Sequence, residues 1–109
     1  MDVKTLIGSL ELSAFHLADE SRPVTGGYCG DLLSWVMGRA PMDGAWMTIM
    51  SNVNVAAVAA LTDVACVILT EGVTPDEPLL QKAKLQGINL LGTGLPTYDC
   101  AAKLADLLK

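Results

Sequence analysis

Short apolar segments and helical segments alternate regularly in the second half of the chain. From Trp46 onward the order is WMTIM, NVAAVAALTD, VACVILT, a helix that follows a proline, INLLG and a final helix. Strands that alternate with helices predict βαβ units, a parallel sheet and right-handed crossovers. The pattern therefore predicts an α/β fold: a single small domain over residues 1–109, with a mostly parallel central sheet flanked by helices.

The first half of the chain gives a weaker pattern. Four apolar residues have the spacing of one helix face: Val3, Leu6, Ile7 and Leu10. The following segment LSAFHL predicts a short strand. In VTGGYCGDLL, Gly26 and Gly27 predict a turn with positive φ, and Asp31 is expected to cap a helix that begins at Leu32.

Two further helix starts carry capping signals. Before the helix that follows VILT, Thr74, Pro75 and Glu77 fit a capping box with proline in the first helical position, and Gly87 is expected to end that helix. Asn54 is expected to cap the helix NVAAVAALTD.

The amino-acid composition limits the classes of partner that the protein can bind. The formal net charge is -5 and the seven basic residues are scattered, which argues against nucleic acid and against an anionic membrane surface. The amino terminus lacks the features of a signal or transit peptide, so we expect a cytoplasmic protein. The most apolar region, residues 53–69, is interrupted by polar residues and is too short to span a bilayer.

No motif for catalysis, metal binding or cofactor binding is present. The GGYCG segment lacks the first glycine of a dinucleotide fingerprint, and the chain has no Gly-Lys pair of a phosphate loop. Three cysteines without a C-x-x-C pair, together with a single distant histidine, predict neither a zinc site nor a disulfide framework. The sequence therefore predicts no enzyme, no catalytic residue, no metal and no cofactor.

Three small polar loops follow the predicted parallel strands, at MSNVN, LTEGVTP and LGTGLPT. Loops at the carboxyl ends of parallel strands are common ligand sites. The candidate ligand-binding residues in them are Ser51, Asn52, Asn54, Thr70, Gly72, Thr93 and Gly94. The alternative is that these residues only form caps and turns, which use the same residue types.

The helix NVAAVAALTD is apolar on every side, although a helix that covers a sheet normally has a polar outer stripe. A second layer over it is therefore expected, and a two-fold symmetric homodimer would supply one. The candidate interface residues are Trp35, Met37, Met42, Trp46 and Ala57. The alternative is that the amino-terminal helix over residues 3–10 folds back and covers it.

Several segments together resemble the DRTGG domain family. They are GGYCGDLLSWVMGRAP, WMTIMSNVNVAAVAAL, VILTEGVTPDE, GINLLGTG and YDCAAKL, and the resemblance covers about residues 20–109. The letters D-R-T-G-G do not occur; the nearest fragments are residues 25–27 and 70–72. The resemblance implies a free-standing member similar to the amino-terminal domain of HPr kinase, without the kinase domain. Relatives of this kind include regulatory regions found beside CBS domains and proteins that accompany iron hydrogenase subunits.

The residues and the resemblance together favour a non-catalytic regulatory or interaction module. It is expected to form a homodimer or bind a protein partner. The resemblance further implies a link to hydrogenase or central carbon metabolism in an anaerobic bacterium. The alternative function is a sensor that binds a small anion or a nucleotide at the loops after the parallel strands.

Overall fold

A computed structural model describes residues 1–109 and contains five helices and five strands. In chain order they are α1 Val3–Leu10, β1 Ser13–His16, β2 Gly26–Cys29, α2 Leu33–Arg39, β3 Gly44–Thr48, α3 Asn54–Thr62, β4 Cys66–Leu69, α4 Glu77–Gln86, β5 Leu90–Gly92 and α5 Thr97–Leu107. The predicted alternation from β3 to α5 is confirmed.

The five strands form one sheet in the order β1-β5-β4-β3-β2. Strands β2 to β5 are mutually parallel, and β1 joins β5 as an antiparallel edge strand. Because β2 to β5 lie side by side in chain order, right-handed crossovers place α2, α3 and α4 on one face of the sheet. The predicted α/β fold with a mostly parallel sheet is confirmed.

Side chains of successive strand residues separate into two cores, one on each face of the sheet. On β3, Ala45 and Met47 belong to the core beneath α1 and α5, whereas Trp46 belongs to the core beneath α2, α3 and α4. Both faces are therefore covered, as expected for a largely parallel sheet.

Helix α1 packs against α5 and buries the predicted apolar face, including Val3 and Leu6. It therefore lies on the face of the sheet opposite to α3. The alternative in which the amino-terminal helix folds back over α3 is wrong, because α1 closes the other core.

The segment around Gly26 and Gly27 is a strand and not the predicted turn. Neither glycine has a positive φ, and both pair with β3. Gly27 has a packing role instead, since a Cβ there would lie 2.8 Å from Cδ2 of Leu104 in α5. Only glycine allows α5 to pack this close to β2 without a shift of its leucine side chain.

Three of the predicted helix N-caps are wrong, and one of them is Asn54, because the N-cap of α3 is Val53 and Asn54 is the first helical residue. The carboxylate of Asp76 accepts from the backbone N–H three residues later at 2.8 Å, so the N-cap of α4 is Asp76, and Thr74 and Pro75 lie in the preceding loop. Asp31 does not cap α2, which begins without a side-chain cap. In contrast, Gly87 ends α4 with φ 66°, as predicted.

Candidate functional site

The three candidate loops meet at the carboxyl edge of the sheet because β3, β4 and β5 are neighbours. The backbone N–H of Asp76 donates to the carbonyl of Ser51 at 3.1 Å, which joins the loops after β3 and β4. The N–H of Gly72 donates to the carbonyl of Thr93 at 3.0 Å, which joins the loops after β4 and β5. The candidate residues therefore share one edge, and their role in ligand binding stays a prediction.

The four candidate residues on the β3 and β4 side serve local structure. Thr70 is fully buried, and its hydroxyl hydrogen-bonds the hydroxyl of Thr97. Asn52 accepts from the N–H of Asn54 at 2.9 Å, so Asn52 and not Asn54 supplies the side-chain acceptor at the start of α3. Ser51 is half-buried, and its carbonyl is used by the loop contact described above.

Two carboxylates that were not among the candidate ligand-binding residues hold this edge together. Asp31 accepts from the Thr48 hydroxyl at 2.8 Å and from the Ile49 N–H at 3.0 Å. Glu71, with φ 62°, accepts from the Thr97 N–H at 2.9 Å at the start of α5. These carboxylates engage backbone donors of the kind that an anionic ligand would use. An anion at this helix terminus would therefore have to displace Glu71.

Gly72, Thr93 and Gly94 differ from the other candidates because they line open space. All three line a cavity of about 220 Å³ between the β1–β5 strand pair and the loop after β4. Thr93 and Gly94 also line a second cavity of about 350 Å³ on the side of α1 and α5, where Lys103 contributes the only basic side chain. Ser51, Asn52, Asn54 and Thr70 line neither cavity.

The structure excludes Trp46 from the candidate interface. Its side chain is fully buried, and Nε1 donates to the carbonyl of Gly30 at 2.9 Å. A tryptophan in the middle of β3 points into a core because helices cover both faces of the sheet. Trp46 is therefore a core residue that fixes the loop after β2.

The other candidate interface residues are exposed. The exposed fractions of Trp35, Met37 and Met42 are 53%, 48% and 63%, and Ala57 is also exposed. The guanidinium carbon of Arg39 lies 3.9 Å from the centroid of the Trp35 ring. This cation–π contact between two residues of α2 holds the ring along the helix.

Helix α3 adds further apolar surface on the same side of the sheet. Val53, Ala57 and Leu61 recur every four residues and are exposed, with Leu61 at 69%. Helices α2 and α3 pack against each other. We call the exposed residues Trp35, Met37, Val53, Ala57 and Leu61 the α2–α3 surface.

The three cysteines are free thiols, and their surroundings disfavour the reactive thiolate. Desolvation, followed by the nearby Asp31 carboxylate, raises the pKa of the exposed Cys29. Burial raises the pKa of Cys66 to about 12 and that of Cys100 to about 11. None of the three is therefore an activated nucleophile.

The buried thiols lead to a prediction for alkaline pH. The pKa of Cys66 in the folded protein lies above its ordinary value of 9.0, so its contribution to stability is complete below that value and is lost as pH rises toward 12. One pKa unit corresponds to about 1.4 kcal/mol, so we expect Cys66 to contribute a loss of roughly 2–3 kcal/mol between pH values of about 9 and 11, and the raised pKa of Cys100 adds to the total loss. Urea unfolding followed by circular dichroism at both pH values measures it.

The control variant for this prediction is Cys66→Ala. It should be less stable than the parent near neutral pH because it leaves a small cavity. Its stability should nevertheless fall less steeply with alkaline pH. Equal alkaline losses in the parent and the variant would contradict the assignment to Cys66.

No group of three or more His, Cys, Asp and Glu side chains is arranged to hold a metal ion. None of the helices combines the length and the apolar character needed to cross a lipid bilayer.

Comparison with known proteins identifies a similar fold. No family model matches the chain, and neither does any curated protein sequence. A similar solved structure is that of the CBS and DRTGG domains of the regulatory region of Clostridium perfringens pyrophosphatase, complexed with the activator diadenosine tetraphosphate. The TM-score is 0.77 over 94% of this chain, with 13% sequence identity, and the chain spans 45% of that longer chain. At this identity the likeness concerns the fold and carries no residue roles, so the conclusion is that the chain has a DRTGG-like α/β fold.

Proposed function

We propose that this chain is a non-catalytic regulatory module that acts by self-association through the α2–α3 surface. The observation that supports the proposal most directly is the exposed apolar side of α3. Val53, Ala57 and Leu61 form an outer stripe where a helix of this type normally carries polar residues. The chain itself leaves this stripe uncovered, because α1 lies on the opposite face of the sheet.

The composition of the α2–α3 surface suits a protein interface. Arg39 is the only charged residue within α2 and α3. Interface centres are depleted in charged residues and enriched in aromatic residues and methionine, which Trp35 and Met37 supply here. Ala57 lets a second backbone approach α3 closely. A two-fold axis would bring the α2–α3 surface of one copy against the same surface of the other copy. Each copy would then cover the exposed apolar residues of its partner.

The proposed dimer predicts a mass in solution of twice 11.4 kDa. Light scattering coupled to size exclusion at micromolar protein concentration measures it. Ala57→Glu should shift the protein to monomer, because it buries an unpaired carboxylate at the interface while its position in the monomer is exposed. Circular dichroism should show that the variant keeps its fold.

The matched control is Ala102→Glu, which makes the same change at an exposed position of α5 on the other face of the sheet. It should leave the dimer intact. A parent protein of monomer mass, or a dimer that tolerates Ala57→Glu, would refute the interface.

The resemblance to the DRTGG family and the DRTGG-like fold support a wider role. The similar solved structure belongs to a regulatory region. We propose that this chain is a member of the same family, located in the cytoplasm of an anaerobic bacterium, and that it regulates hydrogenase or central carbon metabolism by binding itself or a protein partner.

The second candidate function is a small-molecule sensor at the carboxyl edge of the sheet. One specific observation favours it, namely that Gly72, Thr93 and Gly94 line an open cavity there. The pyrophosphatase regulatory region that contains a similar fold was crystallised with the activator diadenosine tetraphosphate, so this fold occurs in a regulatory region that responds to a small molecule. The two functions are compatible, because the cavity and the α2–α3 surface are formed by different residues.

A further inference from the structure

The cavity that contains Gly72 and Gly94 has an aromatic wall. Phe15, three residues with hydroxyl groups and three glycines line most of its volume of about 220 Å³. Phe15 on β1 lies across the paired strand β5, and any Cβ at Gly92 would clash with its ring. Gly92 thus allows the ring to lie directly over the sheet at one end of the cavity.

Two glycines of the lining, Gly72 and Gly94, contribute no side chain to the cavity. An added Cβ at either residue would meet no atom within 4 Å. Gly72 also needs glycine for its backbone conformation, because its φ is 75°.

The polar groups of the cavity are neutral. Ser13 and Thr74 contribute hydroxyl groups to its lining. The Thr93 hydroxyl oxygen accepts from the Leu95 N–H at 3.2 Å, which leaves its O–H free to donate. No lysine, arginine, aspartate or glutamate lines the cavity. A ligand here would be held by hydrogen bonds and apolar contact and not by charge.

The size of the cavity limits the ligand further. Sites for drug-sized molecules occupy roughly 300–1,000 Å³, so the space here suits a single ring system and not a complete nucleotide. A flat ring with hydrogen-bonding edges matches an aromatic wall surrounded by hydroxyl groups, since aromatic side chains stack on such rings.

We propose that this cavity binds an uncharged planar heteroaromatic ring of the nucleobase type, held against Phe15 and recognised by the hydroxyl groups of Ser13, Thr74 and Thr93. This inference rests on the sensor role proposed above and specifies its ligand class. The lining of this cavity offers no cation to a phosphate, and Glu71 already engages the N–H of Thr97. The ring should therefore be sufficient for binding, and a nucleoside needs no phosphate to bind here.

Titration of the isotope-labelled protein with adenosine, guanosine, cytidine and uridine, followed by amide NMR, tests the proposal. At least one nucleoside should shift the resonances of Gly72, Thr93 and Gly94. Gly94→Val adds a side chain to the cavity lining and Phe15→Leu removes the aromatic ring, and each should weaken binding by about tenfold or more. Gly8→Val is the matched control at an open glycine of α1 away from the cavity, and it should bind as the parent does.

Two further probes separate this inference from the sensor role on which it rests. The probes are adenosine monophosphate and ribose 5-phosphate. If ribose 5-phosphate shifts the loop resonances and no nucleoside does, the ring site is refuted while an anion sensor stands. If none of the probes shifts these resonances, both are refuted. Unchanged nucleoside affinity in Gly94→Val and Phe15→Leu, with both variants folded, also overturns the ring site.

Discussion

Trp46→Ala is expected to destabilise the protein by about 3–5 kcal/mol, the range for truncating a large buried aromatic side chain. Trp46 is fully buried in the core beneath α2, α3 and α4. The substitution also removes the donor that holds the carbonyl of Gly30. Small domains have total stabilities of about 5–15 kcal/mol, so the variant should be partly unfolded at modest urea concentrations. Urea unfolding followed by circular dichroism measures the loss without relying on the removed fluorophore.

The other tryptophan is the matched control. Trp35→Ala should cost no more than about 1 kcal/mol, since Trp35 is half exposed and loses mainly its contact with Arg39. If the two variants were equally stable, Trp46 would not lie in the core.

Asn89→Leu is expected to destabilise the protein by about 3 kcal/mol or more. Asn89 is buried, and its Oδ1 accepts from the N–H groups of Ala18 and Asp19 at 2.8 and 2.9 Å. Its Nδ2 donates to the carbonyls of Asp19 and Ala65 at 2.8 and 2.9 Å. Leucine has a similar size but satisfies none of these groups, and each buried group left unpaired costs about 1–3 kcal/mol. The loss should appear as a lower urea midpoint.

A second variant at this position tests the hydrogen bonds separately from packing. Asn89→Asp keeps the shape but directs a carboxylate oxygen at two carbonyl oxygens, so it should also be destabilised near neutral pH. Burial and repulsion raise the pKa of the introduced carboxyl group, so its neutral form is favoured in the folded state. The variant should therefore recover part of the loss as pH falls to about 4, relative to the parent. A variant as stable as the parent near neutral pH would contradict the role of Nδ2.

Local patterns in the sequence were sufficient for much of the fold. The alternation from β3 to α5 and the apolar face of α1 are each encoded within a single element, and the structure confirms both. Gly87 also ends α4 as predicted, because a helix end that needs positive φ favours glycine strongly. The mostly parallel sheet followed from the alternation through the handedness of the crossovers.

Where one segment carried two compatible signals, sequence reasoning chose wrongly. Gly26 and Gly27 have the composition of a turn but pair with β3 as an edge strand, where Gly27 makes room for Leu104. Asp31 stands where an N-cap is expected but bonds the loop after β3. In both cases a contact with a distant segment decided the conformation.

For the candidate site too, some features were visible in the sequence and others only in the tertiary structure. The sequence alone identified the loops after β3, β4 and β5, because strand ends and small polar residues are visible locally. It also identified α3 as a helix without a polar side. Only the tertiary structure showed that Trp46 is buried while Trp35 is exposed, and that Gly72, Thr93 and Gly94 line a cavity while Ser51 does not.

The physical reason is the distance along the chain over which each feature is determined. Helix periodicity and strand alternation depend on residues within a few positions of one another, so the sequence by itself determined α1 and the order of the elements from β3 to α5. The bonds between Asn89 and residues 18 and 19, and the position of Phe15 over Gly92, join segments about 70 or more residues apart. Such contacts depend on which strands become neighbours, and β1 pairs with β5 only when the whole sheet assembles, so the tertiary structure alone decided them.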